Sequence, residues 1–175
     1  MSEALTIRHA APQDADELAA IEAAGFPPEE AATPGQIWER ILAYGDHFWL
    51  LTTDGTANGK PDAERILAFI NGLATDRPDL TDDMYADAAM HDPHGAWQMI
   101  FGVVTAPEAR HHGYASRLMR RVVADARAAG RRGLVLTCKD GFVGFYERFG
   151  YVDEGVSGST HGGVVWHQMR LTFAA

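Results

Sequence analysis

The stretch that decides the fold is Arg110-His111-His112-Gly113-Tyr114-Ala115-Ser116. Before it lies a strand-like run, from Gln98 to Thr105, and after it an amphipathic run, from Arg117 to Ala128. Strand, glycine-containing turn and helix start, in that order, make an anion site. The first backbone N–H groups of a helix have no intrahelical partner, and the helix dipole is positive at that end. Gly113 has no side chain, so a pyrophosphate can come close to the backbone there.

Working outward, the amphipathic run predicts a helix from Ser116 to Ala129. Leu118, Met119, Val122, Val123 and Ala126 share one face, and Arg117, Arg120, Arg121 and Arg127 share the other. Gly130 stops it. Ala96 to Thr105 reads as one long strand, and Gly133 to Lys139 as an apolar strand covered on both faces. Phe142 to Phe149 reads as a short helix closed by Gly150, followed by strands at Tyr151 to Glu154 and Val164 to Phe173 around glycine-rich Gly155 to Gly163. Upstream, Leu5 to His9 alternates like a strand. Pro12 opens a helix through about Ala24, and Pro34 opens a second carrying Ile37, Trp38, Ile41 and Leu42. Phe48 to Thr53 and Arg65 to Leu73 read as a hairpin across turn-rich Asp54 to Asp62. Thr75 to Gly95, polar and Asp-rich, reads as a long loop of the kind that often carries function. The predicted order is β-α-α-β-β-β-α-β-α-β-β.

Bulk composition sets the bounds. The 175 residues, 46% hydrophobic and 22% charged, suit one domain, 1–175, with a sizeable core. No apolar run is long enough to span a bilayer, and Met1 to Arg8 lacks the basic and apolar regions of a secretory signal. The single cysteine, Cys138, rules out an internal disulfide framework and suits a reducing, cytoplasmic setting. No Cys/His cluster has zinc spacing, so no metal is expected. A net charge of −9 disfavours nucleic acid and anionic membranes as partners. Residues 1–105 carry 5 Lys/Arg against 18 Asp/Glu, and residues 106–175 carry 10 against 6. The basic part suits a phosphate-rich ligand, and the acidic part would attract a cation. No Gly-x-x-x-x-Gly-Lys-Ser/Thr pattern is present, which excludes nucleotide hydrolysis of the P-loop kind.

Arg-x-x-Gly-x-Ala, as it stands at Arg110 to Ala115, resembles the pyrophosphate loop of the GNAT N-acetyltransferase superfamily. Thr105-Ala106-Pro107-Glu108-Ala109-Arg110 resembles that family's Val-x-Pro-x-x-Arg, and the predicted element order matches nearly end to end. Within the family, Cys138-Lys139-Asp140-Gly141-Phe142-Val143-Gly144-Phe145-Tyr146-Glu147-Arg148-Phe149-Gly150 is most similar to Cys-Glu-Asp-Ala-Leu-Val-Pro-Phe-Tyr-Glu-Arg-Phe-Gly of the arylalkylamine (serotonin-type) N-acetyltransferases. The resemblance implies an α/β (α+β) acyl-CoA N-acyltransferase fold: a mixed, mostly antiparallel sheet flanked by helices, splayed between the strand ending at Thr105 and that starting at Gly133. It implies acetyl-CoA as co-substrate and a small primary amine as acceptor. Main-chain groups of Val103, Val104 and Thr105 would bind the pantetheine arm, and Arg110, His111, His112, Gly113, Tyr114, Ala115 and Ser116 the pyrophosphate. Tyr146 would protonate the departing thiolate, since a phenol with an unperturbed pKa of about 10 keeps its proton at neutral pH.

Phe26 and Pro34 fall at the arylalkylamine family's spacing for two residues of the amine pocket, and a homodimer fits the family. The family's two strand histidines are replaced here by Met99 and Phe101, neither of which moves a proton. These two either line the pocket or point into the core, as alternate strand residues share a face. His91, His94, His161 and His167 are the candidate substitutes as base. Glu29 and Glu30 are candidates to steer an ammonium. Cys138, inside an apolar run, reads as packing rather than a nucleophile. The other readings are a protein N-terminus, lysine or antibiotic amine as acceptor, or a CoA-binding module without turnover.

Overall fold

A computed structural model describes residues 4–174, so the part of the N-terminal reading that falls on residues 1–3 lies outside it. The chain forms two compact units. One is built from the chain up to Asn71 together with Gly102–Met119, the other from Gly72–Phe101 together with the chain from Arg120 onward.

The first unit has a four-stranded antiparallel sheet in the order β1 (Leu5–Arg8), β2 (Phe48–Thr53), β5 (Ile66–Asn71), β8 (Gly102–Thr105). A minimal hairpin, β3 (Thr56–Ala57) and β4 (Lys60–Pro61), fills the turn-rich segment. Two helices precede β2: α1 (Ala15–Gly25), entered through a 3-10 turn at Pro12–Asp14, and α2 (Pro34–Tyr44). Thr33 caps α2, its hydroxyl accepting from Gln36 N while the Gln36 side chain accepts from Thr33 N. Asp14 joins β1 to the entry of α1. It receives both terminal nitrogens of Arg8 at 2.8 and 2.9 Å and the Ala11 N–H at 2.8 Å. The Arg8 guanidinium holds the Asp14 carboxyl below its ordinary pKa.

The core of this unit is aromatic. Phe48 stacks between Tyr44 and Phe69, with both ring pairs 6.2 Å apart and all three side chains essentially inaccessible. Each such side chain contributes about 1.5–3 kcal/mol by leaving water. The four apolar residues named on α2 divide between two faces. Ile37 and Ile41 are buried, but Trp38 and Leu42 are 45% and 59% exposed, and Arg40 and Tyr44 complete the inner face. Positions 37, 40, 41 and 44 follow the helical repeat. Positions 38 and 42 are turned about 100° away from it.

The second unit has a five-stranded sheet in the order β10 (Val152–Val156), β11 (His167–Thr172), β9 (Gly133–Cys138), β7 (Trp97–Ile100), β6 (Ala74–Thr75). Among the described residues only the β7–β9 pair is parallel, so the fold is mixed and mostly antiparallel, in the α+β class. The short helix α5 (Val143–Glu147) follows β9. The 15-residue helix α4 (Tyr114–Ala128) follows β8, begins in the first unit and ends in the second. Its inner face holds Leu118, Met119, Val122 and Ala126, while Arg117, Arg120, Arg121 and Arg127 stay exposed.

Two expectations are revised. The predicted strand from Ala96 to Thr105 is interrupted at Phe101: β7 pairs in one sheet and β8 in the other. The buried amide of Gln98 donates to the carbonyls of Gly72 and Met99, both at 2.8 Å, supplying partners that a regular ladder would otherwise provide. The segment Thr75 to Gly95 is not a bare loop. It holds the short helix α3 (Asp83–Ala86) and a 3-10 turn at Ala88–Met90, and closes on β6 through Asp92 N donating to Ala74 O.

Candidate active site

In the first unit, β8 pairs with β5 from Ala68–Thr105 to Asn71–Gly102 and ends that sheet's strand order. Val104 is buried, while Val103 and Thr105 are half-exposed. After Thr105 the chain makes a 3-10 turn at Pro107–Ala109, pinned by Ala106 N donating to Leu67 O at 2.8 Å. Arg110, His111, His112 and Gly113 then run exposed to the start of α4, where Gly113 O accepts the helix bond from Arg117 N.

Two residues of this loop are left-handed, His111 at φ 69° and Gly113 at φ 75°. Alternating hands turn successive N–H groups toward one side, the geometry of an anion nest. A Cβ on Gly113 would meet nothing within 4 Å, so the space in front of this backbone is open. The His112 and Tyr114 rings stack 5.3 Å apart beside it. An exposed nest at the positive end of a 15-residue helix fits the phosphates of a nucleotide-bearing thioester.

In the second unit, β9 ends at Cys138 and α5 carries Tyr146. The Tyr146 ring makes edge contacts with Phe145 at 5.0 Å and Tyr151 at 5.9 Å. Burial lifts the Tyr146 phenol well above its ordinary pKa, and proximity to Cys138 adds to the effect. The phenol therefore holds its proton through neutral and mildly alkaline pH, the state a general acid needs. Cys138 is 4% exposed, and burial, followed by the charges of Asp153 and Asp140, pushes its thiol up to about 11. That leaves almost no thiolate at neutral pH and agrees with an inert, packed cysteine.

The histidines differ in their surroundings. His91 Nδ1 accepts from Ala74 N at 3.1 Å, so that nitrogen is engaged with the backbone. His94 is exposed. His167 lies 3.2 Å from Asp153 and 3.5 Å from Asp140. His161 stacks on Tyr85, their centroids 4.6 Å apart, and Tyr85 in turn lies 5.0 Å from Phe101. The segments 75–95 and 155–163 therefore come together. Asp82 reinforces the junction by accepting from the Ser159 hydroxyl at 2.6 Å and from Thr160 N at 3.0 Å. Sequence reasoning gave Tyr85 and Asp82 no role, because nothing local marks a contact across some 80 residues.

Of the two residues standing where the family has histidines, Met99 is completely buried and Phe101 is half-exposed. Phe26 is half-exposed and Pro34 exposed. Of the two acidic residues beside them, Glu29 is exposed and Glu30 is buried. A cavity of about 400 Å³ opens between Asp79, Asp82, Glu154 and Gln168. Its acids are already engaged, Asp79 and Glu154 by Arg170 and Asp82 by Ser159 and Thr160. Among the described residues no group of three His, Cys, Asp or Glu is placed to hold a metal ion, and no helix is long and apolar enough to cross a membrane.

Solved structures share this architecture at low identity. The GphF GNAT-like decarboxylase in complex with isobutyryl-CoA superposes with a TM-score of 0.76 at 21% identity, over 95% of this chain and 98% of that one. The ribosomal-protein-S18-alanine N-acetyltransferase from Escherichia coli gives 0.66 at 15%, over 98% and 97%. A GNAT family acetyltransferase from Brucella melitensis in complex with acetyl-CoA gives 0.58 at 21%, over 99% and 91%. At such identities the likeness speaks for the fold alone. The model of the acetyltransferase (GNAT) family matches residues 15–151, and with the loop and helix geometry above, the chain belongs to that family and is an acyltransferase.

Proposed function

We propose that this protein transfers the acetyl group of acetyl-CoA to a small primary amine, arylalkylamine- or polyamine-like, by direct attack in a ternary complex. The observation that carries the reading is the nest at Arg110–Ser116, left-handed at His111 and Gly113 and open in front of its backbone, at the start of a long helix. In this reading Val103, Val104 and Thr105 pair with the pantetheine arm as an added strand would, since β8 ends its sheet. Arg110, His111, His112, Gly113, Tyr114, Ala115 and Ser116 hold the pyrophosphate. The amine attacks the thioester carbon, main-chain N–H groups stabilise the oxyanion, and Tyr146 protonates the thiolate as the C–S bond breaks. The held proton of Tyr146 supports that role.

Phe26 and Pro34 offer surface to the body of the amine, while Phe101 is half-exposed and Met99 is part of the core. A cytoplasmic setting and a homodimer complete the proposal. The test is CoA release from acetyl-CoA over a panel of arylalkylamines, polyamines, aminoglycosides and peptides. Release with arylalkylamines or polyamines is expected. Release with peptides or aminoglycosides alone would replace the acceptor and keep the chemistry. Acetyl-CoA binding without release for any acceptor would favour a CoA-binding module.

A further inference from the structure

The second unit carries an aromatic cluster to which the reading above gives no role. β7 and β9 run parallel, in register from Trp97–Gly133 to Ile100–Leu136, so their carboxyl ends lie side by side. Ligands of parallel strands bind beyond those ends, where the chain leaves for a different neighbour, and β7 makes that departure at Phe101. Tyr85 lies across both ends. Its ring is 5.0 Å from that of Phe101, and its hydroxyl is 3.2 Å from Thr137 Oγ1 on β9. His161 stacks on Tyr85 at 4.6 Å, and the Trp166 ring lies 6.2 Å from His161. Tyr85, Phe101, His161 and Trp166 are all half-exposed, so each keeps part of its ring open.

Polar contacts hold these rings in place. The His161 carbonyl accepts from Trp166 Nε1 at 2.7 Å, and the His161 N–H donates to Ser159 Oγ at 3.2 Å. Asp82 takes the Ser159 hydroxyl on one carboxylate oxygen and the Thr160 N–H on the other, which ties the 155–163 loop to α3, where Tyr85 stands. The charge against the rings is positive: the Lys139 ammonium is 5.8 Å from the Trp166 ring centroid. A second ammonium would meet a like charge there, and a neutral ring would not. Successive residues of a strand point to opposite faces. Thr137 therefore holds Tyr85 on one side of β9, and Cys138, the neighbour of Tyr146, lies on the other. That division suits attack on a thioester, in which the nucleophile arrives and the thiolate departs on different sides of the carbonyl carbon.

We infer that Tyr85, Phe101, His161 and Trp166 form the wall that receives the aromatic body of the acceptor, a phenyl or indole ring on a short aminoalkyl chain, and that Asp82 is the positioning residue that holds the wall together. The inference rests on the acetyltransferase reading and narrows it: the acceptor is an arylalkylamine, and polyamines are selected against. Ring contacts favour an aryl group over an alkyl chain of the same charge. Selectivity therefore comes from these side chains and not from the amino group that all the acceptors share.

The test measures kcat and KM for phenylethylamine, butylamine and spermidine, with acetyl-CoA affinity determined by calorimetry for each variant. Wild type should favour phenylethylamine. Tyr85→Leu and Trp166→Leu should each raise its KM about tenfold, with kcat, the butylamine KM and acetyl-CoA affinity close to wild type. His161→Phe keeps a ring in the stack and should keep the preference, whereas His161→Ala should lose it. This pair decides alone where a leucine variant does not fold. Asp82→Ala should raise the phenylethylamine KM, and Asp82→Asn, which still accepts from the Ser159 hydroxyl, should recover most of the loss. A merely structural role for Asp82 would lower acetyl-CoA affinity or butylamine turnover as well. A wild type that acetylates butylamine or spermidine as readily as phenylethylamine would overturn the wall and leave the acetyltransferase reading standing. So would variants with an unchanged phenylethylamine KM, or with equal losses on both monoamines, at normal acetyl-CoA affinity. A wild type that binds acetyl-CoA and acetylates no amine would sink the acetyltransferase reading, and the role of the wall with it.

Discussion

His111 and Gly113, two residues apart in one loop, should respond to substitution with opposite signs. Gly113 sits at φ 75° with no atom within 4 Å of a built Cβ, so Gly113→Ala meets no clash in the free protein. Its whole cost is the left-handed backbone, about 1–2 kcal/mol for a residue with a Cβ. In a chain of this length each kcal/mol moves Tm by about 2–4 °C, which puts the loss at about 2–8 °C. His111 already carries that strain at φ 69°. His111→Gly removes about 1–2 kcal/mol of it and adds about 0.5–1 kcal/mol of chain entropy, leaving the protein between unchanged and about 1.5 kcal/mol more stable. Binding adds a second, independent reading. A methyl on Gly113 stands where a phosphate would approach, and losing one charge-assisted hydrogen bond of about 1.5–3 kcal/mol weakens acetyl-CoA by about tenfold or more. Gly113→Val should weaken it further. Thermal unfolding and calorimetric titration on the three variants measure both effects. Wild-type acetyl-CoA affinity in Gly113→Val would refute the phosphate loop, and an unshifted Tm in Gly113→Ala would refute the strain.

Two further outcomes are expected. Tyr146→Phe keeps the ring contacts with Phe145 and Tyr151 and should lower turnover by about 10²–10⁴-fold with acetyl-CoA affinity intact; unchanged turnover at neutral pH would take Tyr146 out of the proton-donor role. Tyr44 and Tyr151, 1% and 2% exposed, have phenols raised above their ordinary pKa by burial. The unfolded chain ionises first, so stability should be full below about pH 10 and then fall by about 1.4 kcal/mol per pH unit for each phenol; native tyrosines that titrate at pH 10 without unfolding would contradict this.

What the sequence disclosed depended on distance along the chain. The helix after Gly113 and the strand Phe48–Thr53 were readable because periodicity and end signals are local. The break at Phe101 was not. The run from Trp97 to Thr105 is continuously β-like, and only the identity of the neighbouring strands, β9 for one half and β5 for the other, divides it. On α2, the apolar residues Trp38 and Leu42 are exposed, because the helical repeat gives the inner face to Ile37, Arg40, Ile41 and Tyr44. In the candidate site, the anion loop was visible from one glycine and one helix start. The stacking of His161 on Tyr85 was hidden because it joins segments far apart in the chain.

The buried, protonated state of Cys138 has a consequence for chemistry and for measurement alike. An acetyl thioester is open to exchange with any free thiolate, and a reactive cysteine in the protein would capture the acyl group and turn an enzyme into its own dead-end product. With its single thiol held near pKa 11 and 4% exposed, the folded protein offers the thioester no such competitor. It is equally silent toward thiol-reactive dyes, so the colour that develops in a CoA-release assay reports coenzyme alone, and a slow extra signal reports unfolding.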